Sequence, residues 1–129
     1  MSSQNENKEK PTNQTPPLES RIVTPLRVLR LTLKKNWFDM IASGEKREEY
    51  REPSTWIDSR VNAWKEYDVV EFKNGSSPNA PSCVVEYRGY DWHEGKPLWG
   101  ATPGRRYVVI KLGEVLSLTN AEHIRTKKS

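Results

Sequence analysis

The chain reads as a single α+β domain, a small and mostly antiparallel β-barrel with two short helices. Three observations predict this. Its 129 residues suffice for one domain and fall short of two ordinary ones. Runs rich in Val, Ile and Tyr recur along the chain, four of them with the length and alternation of strands. Two short helix-period stretches follow the first of these runs, and after them only strand-like segments remain.

Residues 1–25 carry Leu18, Ile22 and Val23 among Ser, Asn, Gln, Glu, Lys, Thr and Pro. Such a composition cannot bury enough surface to offset its ordering entropy, which predicts a disordered tail. The domain then spans 26–120. From Leu26 to Lys34, Leu29, Leu31 and Leu33 alternate with Arg30, Thr32 and Lys34, the period of a half-buried strand. Asn36 is expected to cap a helix, with Asp39 three positions on and Trp37, Phe38 and Ile41 as its apolar stripe, ending at Gly44. Pro53 breaks the next segment. A second helix from Ser54 or Thr55 would place Ile57, Val61 and Trp64 on one face. Strands are expected at Asp68–Lys73, Ser82–Tyr90 and Arg105–Leu112, the last with a continuation through Val115 to Leu118. Asn74–Pro81 and Asp91–Gly104 have the Gly and Pro content of loops.

The formal charge of +4 is unevenly placed. In the tail Lys8, Lys10 and Arg21 cancel Glu6, Glu9 and Glu19. In the basic terminus 121–129, Arg125, Lys127 and Lys128 exceed Glu122 by two, leaving +2 for the body. That balance is compatible with a polyanion partner and well short of a polybasic binder. A lone cysteine, Cys83, excludes a disulfide framework and thiolate zinc clusters, and its apolar surroundings mark it as a small buried hydrophobe. No apolar run approaches the roughly 18 residues of a membrane span. No signal-peptide pattern follows Met1, so a soluble, cytoplasmic protein is expected. No histidine or carboxylate spacing suggests a metal site, and no cofactor is expected.

Gly44-Glu45-Lys46-Arg47-Glu48-Glu49-Tyr50-Arg51 packs charge of both signs behind a glycine. A solvated helix face is the ordinary meaning of such a run. Against it, Gly44 and Pro53 bracket the run and Tyr50 sits near its centre. The spacing Gly44, Lys46, Glu49, Arg51 resembles the G-x-K-x-x-E-x-R signature of the ASCH domain, a small β-barrel of the PUA-like group associated with RNA. The resemblance runs from about Leu29 to Leu118, with Leu31-Thr32-Leu33-Lys34, Trp37-Phe38 and Ile41 matching the opening strand and helix that precede the signature. It implies a PUA-like barrel whose signature enters a strand lining a cleft that contacts a nucleotide or nucleic acid. Lys34, Gly44, Lys46, Glu49 and Arg51 would line that cleft. On an extended strand Glu49 and Arg51 point the same way, whereas Lys46 points opposite unless a turn intervenes, which Gly44 makes easy.

Some small bacterial members of that family are N4-acetylcytidine amidohydrolases, whose catalytic set begins with the signature lysine. Lys46 matches it. Those enzymes have a threonine where this chain has Glu49, and their additional carboxylate has no counterpart located here. In a hydrolase, Glu49 would be the base and Lys46 would stabilise the oxyanion. Ribonuclease activity is also associated with the family, and His93 would be the first general-base candidate for it.

Trp37, Phe38, Trp64, Phe72 and Tyr107 fall at core-like periodic positions. Trp92 and Trp99 do not. With His93, Lys96, Arg105 and Arg106 they combine flat rings and cations suited to unpaired bases and phosphates. The sequence thus predicts a monomeric RNA- or modified-nucleoside-binding protein. A small hydrolase of the same family and a regulatory module with a protein partner are the alternatives.

Overall fold

The computed structural model describes residues 26–62, 65–121 and 124. The expected tail of residues 1–25, Trp64, His123 and the charged residues of the terminus lie outside them. The described residues form an α+β fold of five strands and two α-helices. Strand β1 (Val28–Leu33) buries Leu29, Leu31 and Leu33 and exposes the residues between them, as the alternation requires. Helix α1 (Lys35–Ala42) follows at once and buries Phe38, Ile41 and Ala42.

The cap of α1 differs from expectation. Lys34 is the N-cap, without a side-chain hydrogen bond, and Asn36 is already the second helical residue. The Lys34 carbonyl accepts the first helical bond from Phe38 N at 2.9 Å, so the strand runs into the helix with no room for a capping turn. Helix α2 (Thr55–Arg60) starts as its sequence suggests, with Ser54 Oγ accepting from Ile57 N at 3.1 Å.

Between the helices lies β2 (Glu48–Arg51), and after them β3 (Val69–Asn74), β4 (Ser82–Glu94), a 3₁₀ turn at Pro97–Trp99, and β5 (Arg106–Thr119). The sheet order is β1-β3-β4-β5-β2, curled into a mixed half-barrel. β1 and β3 are parallel and the other neighbours antiparallel. Register shifts between Val84 and Tyr90 put bulges into the long β4–β5 hairpin, the usual device for bending a strand. β5 runs unbroken through Leu118, as its pattern suggested.

One connection is shorter than expected. Asp91–Glu94 pair with Val109–Arg106, so Trp92 and His93 belong to β4 and the loop is reduced to residues 95–105. Asp91, His93 and Glu94 resemble a loop in isolation, but the facing strand supplies a continuous antiparallel ladder, and such pairing outweighs local propensity.

The main core joins Leu29, Phe38, Ile57, Phe72, Val85 and Ile110 from both helices and the sheet. Cys83 is buried in it, and burial pushes its thiol up to about 12. Tyr107 and Val109 alternate with Val108 and Ile110 along β5 and so face the other side, where they form a second cluster with Ala101 and Tyr50. Among the described residues no helix is long and apolar enough to cross a membrane.

Candidate functional site

The local turn after α1 decides where the signature lysine goes. Gly44 has φ 88°, a left-handed conformation that costs glycine little. Its N–H donates to Ile41 O, and the next two N–H groups, of Glu45 and Lys46, both reach back to Met40 O at 3.0 Å. Lys46 is thereby folded under the end of the helix. Two residues later β2 begins, and in its register Glu49 lies opposite Ile110 and Arg51 opposite Val108, the core-facing residues of β5.

The three charges meet. Lys46 Nζ donates to Glu49 Oε1 at 2.6 Å, and Arg51 Nε donates to Glu49 Oε2 at 2.8 Å. Lys46 is 2% exposed and Glu49 5%, the two buried charged residues among the described ones. Arg51 also donates through Nη2 to Thr32 O at 2.8 Å. Since β1 and β2 are the two ends of the sheet, this guanidinium bridges the opening of the half-barrel. Two cations against one carboxylate leave the cluster with one positive charge.

Above this cluster is a cavity of about 270 Å³, walled by Trp37, Tyr50, Trp99 and Tyr107, with Lys46 and Glu49 also lining it. Lys46 Nζ lies 5.4 Å from the ring centroid of Trp37 and 5.5 Å from that of Tyr50, both within cation–π range. The loop 95–105 closes one side. Lys96 N donates to Tyr50 Oη at 2.9 Å, and Thr102 N donates to Tyr107 Oη at 2.9 Å. Gly100, at φ 102°, lets the backbone pass against Trp37, where an added Cβ would stand 2.9 Å from the indole. At the rim Arg105 Nη1 pairs with Glu52 Oε2 at 2.8 Å. Burial pushes the Tyr50 phenol above its ordinary value, and the Thr102 hydrogen bonds hold that of Tyr107 below it.

One polar atom of the wall is unanswered. Trp99 Nε1 is buried and has no hydrogen-bond partner among the described residues. The outer face of that indole is less isolated, since Lys96 Nζ sits 4.3 Å from the ring centroid.

The structure brings together Lys46, Glu49 and Arg51, and sets Arg105 at the rim of the same cavity. Gly44 acts through the turn. Lys34, the exposed N-cap of α1, does not line the cavity. Trp92, His93 and Arg106 also lie outside it. Trp92 is 44% exposed, with Arg106 5.7 Å from its ring centroid and donating to its carbonyl at 2.9 Å. Cross-strand register nevertheless puts Arg51, Val108 and Trp92 in one row on one face of the sheet. His93 falls opposite Tyr107, and its Nδ1 is 2.6 Å from Glu94 O.

Of the aromatics expected in the core, Tyr107 is buried in the second cluster and also walls the cavity, whereas Trp37 is only half-buried and serves as a wall. Sequence reasoning grouped Trp99 with Trp92, which the fold separates. Among the described residues no cluster of His, Cys, Asp or Glu is placed to hold a metal ion. Compared with protein-family models, with curated proteins and with solved structures, the chain has no match.

Proposed function

We propose that this chain is a PUA-like barrel of the ASCH type that binds RNA or a modified nucleoside, with the base in the aromatic-walled cavity. The observation that carries this reading is the buried Lys46–Glu49 pair that lines that cavity, with Arg51 as a second cation on the same carboxylate. Burying ions is expensive, and apolar residues would stabilise the same place as well or better. A charged cluster so placed is explained by what it binds. Flat rings hold a base by stacking, and a cation beneath them meets a carbonyl or phosphate oxygen. Trp92, in the same cross-strand row as Arg51 and with Arg106 over its ring, suits a neighbouring nucleotide.

Binding is favoured over hydrolysis because both oxygens of Glu49 are already engaged by cationic donors. Each oxygen thus already holds a cation, an arrangement that suits the carboxylate to positioning Lys46. His93 is outside the cavity, with one ring nitrogen held at a backbone carbonyl, which weighs against it as the base of a ribonuclease. The test is titration of the protein with short single-stranded RNAs and free nucleosides, N4-acetylcytidine among them, sampling each mixture for product. Saturable binding that weakens with salt and is lost in Lys46→Met is expected. Binding unaffected by Lys46→Met would remove the cluster from the function, and accumulation of product would replace binding with catalysis.

A further inference from the structure

Resting on that nucleoside reading, we propose that the cavity takes a phosphorylated ligand whose phosphate is bound by Arg105 at the mouth, where Glu52 holds the phosphate's place in the free protein. Arg105, Glu52 and Thr102 all line the cavity. The Arg105 and Glu52 side chains are 53% and 67% exposed, so they stand at its mouth and not beneath the rings. Arg105 Nη1 donates to Glu52 Oε2 at 2.8 Å. A guanidinium carries five N–H donors in a planar fork, and this bond uses one, the rest having no partner among the described residues. A phosphate accepts two parallel bonds from such a fork, a stronger pairing than one bond to a carboxylate. The resident pair resists the exchange little, because exposed ion pairs are screened by water and contribute little.

Burial sorts the two cations of the lining. Lys46 is 2% exposed and tied to Glu49, whereas Arg105 is open to solvent. A base between the rings meets the first, and a phosphate that keeps part of its hydration meets the second. Thr102 is exposed too, is joined to Arg105 by a backbone bond of 3.1 Å, and brings a hydroxyl to the same rim. Glu52 gives the inference its sign. Its carboxylate stands on the donor that a phosphate would use, so it competes with a phosphate and not with an uncharged nucleoside. Removing that charge should tighten nucleotide binding, the opposite of what removing a contact residue does.

The experiment is calorimetric titration of the whole chain, wild type, Arg105→Gln and Glu52→Gln, with uridine, cytidine, adenosine and guanosine and the 5′-monophosphate of each. For a base that binds, the monophosphate should bind the wild type about tenfold more tightly than the nucleoside. Arg105→Gln should bring that ratio close to one, and Glu52→Gln should raise it about threefold. Both side chains are exposed, so the variants are expected to melt close to the wild type. A ratio near one in the wild type overturns the inference, as does a ratio unmoved by Arg105→Gln or lowered by Glu52→Gln. In those cases nucleosides still bind, and the reading beneath the inference stands. Where a nucleoside binds too weakly to measure, the affinity of its monophosphate replaces the ratio and the same signs decide. A dinucleotide of the preferred base, titrated beside its monophosphate, tells an RNA strand from a free nucleotide as the source of the phosphate. If neither nucleosides nor monophosphates bind, the inference and its nucleoside premise fall together.

Discussion

Two cavities lined by described residues differ in kind, and the larger is the less informative. About 460 Å³ lies between Arg27, Tyr67, Asp68, Tyr87 and Tyr90, against about 270 Å³ above Lys46. In the larger one Arg27 is met by Asp68 and Glu66, each at 3.2 Å, with its own side chain more than half exposed. Exposed pairs of that kind are screened by water and contribute little. Tyr67 and Tyr87 pack edge to face at 5.5 Å, which is an ordinary way to finish a core. Lining the smaller cavity, Lys46 and Glu49 are buried, Arg51 adds a second cation to the same carboxylate, and the wall contains an indole donor with no partner among the described residues. The comparison teaches that incomplete satisfaction, rather than volume, distinguishes a place built for a ligand.

Breaking the buried cluster should have the largest effect. Glu49→Ala leaves two cations without their shared carboxylate, and we predict a loss of about 3–5 kcal/mol in stability, measured by urea unfolding. Lys46→Met should cost less, because Arg51 still holds Glu49, while abolishing ligand binding. Equal losses for the two variants would show that Arg51 does not support the carboxylate. Gly100→Ala is next. Its left-handed backbone and the close approach to Trp37 predict a loss of about 1–3 kcal/mol by the same assay, together with weaker binding as the wall is pushed inward.

Smaller effects belong to the other cavity. Arg27→Met should leave nucleoside affinity unchanged and shift the melting temperature only slightly. A change in affinity would move the site there. Tyr87, which lines this cavity, has its phenol pushed by burial from 10.0 up to about 12. The unfolded chain therefore loses that proton first as pH rises, so its stabilising contribution is intact below pH 10 and is lost as pH climbs towards about 12. Tyr87→Phe should flatten that alkaline decline in a series of melts, and an unaltered decline would assign it to other groups.

Much of the fold is legible locally. The Leu29, Leu31, Leu33 alternation, the stop at Gly44, the Ser54 cap and the long β5 all depend on neighbours in sequence. The site is legible only in part. Glu49 and Arg51 share a face by strand parity, but Lys46 joins them through the turn at Gly44 and the two bonds to Met40 O, which no strand period describes. The bridge from Arg51 to Thr32 depends on how the sheet curls. Separating Trp99 from Trp92 requires the pairing of 91–94 with 106–109, a matter of register between strands. Trp37 shows helical spacing equally well as core or as wall, and only the course of the 95–105 loop past its indole decides.

The most direct test of the smaller cavity as the ligand site is to follow the tryptophan indole N–H signals by NMR while adding a short single-stranded RNA. The indole signals of Trp99 and Trp37 are predicted to shift together and saturably, while that of Trp56, exposed on α2, stays in place. Movement confined to the backbone amides of Tyr67, Tyr87 and Gly89, or no movement at all, would contradict it.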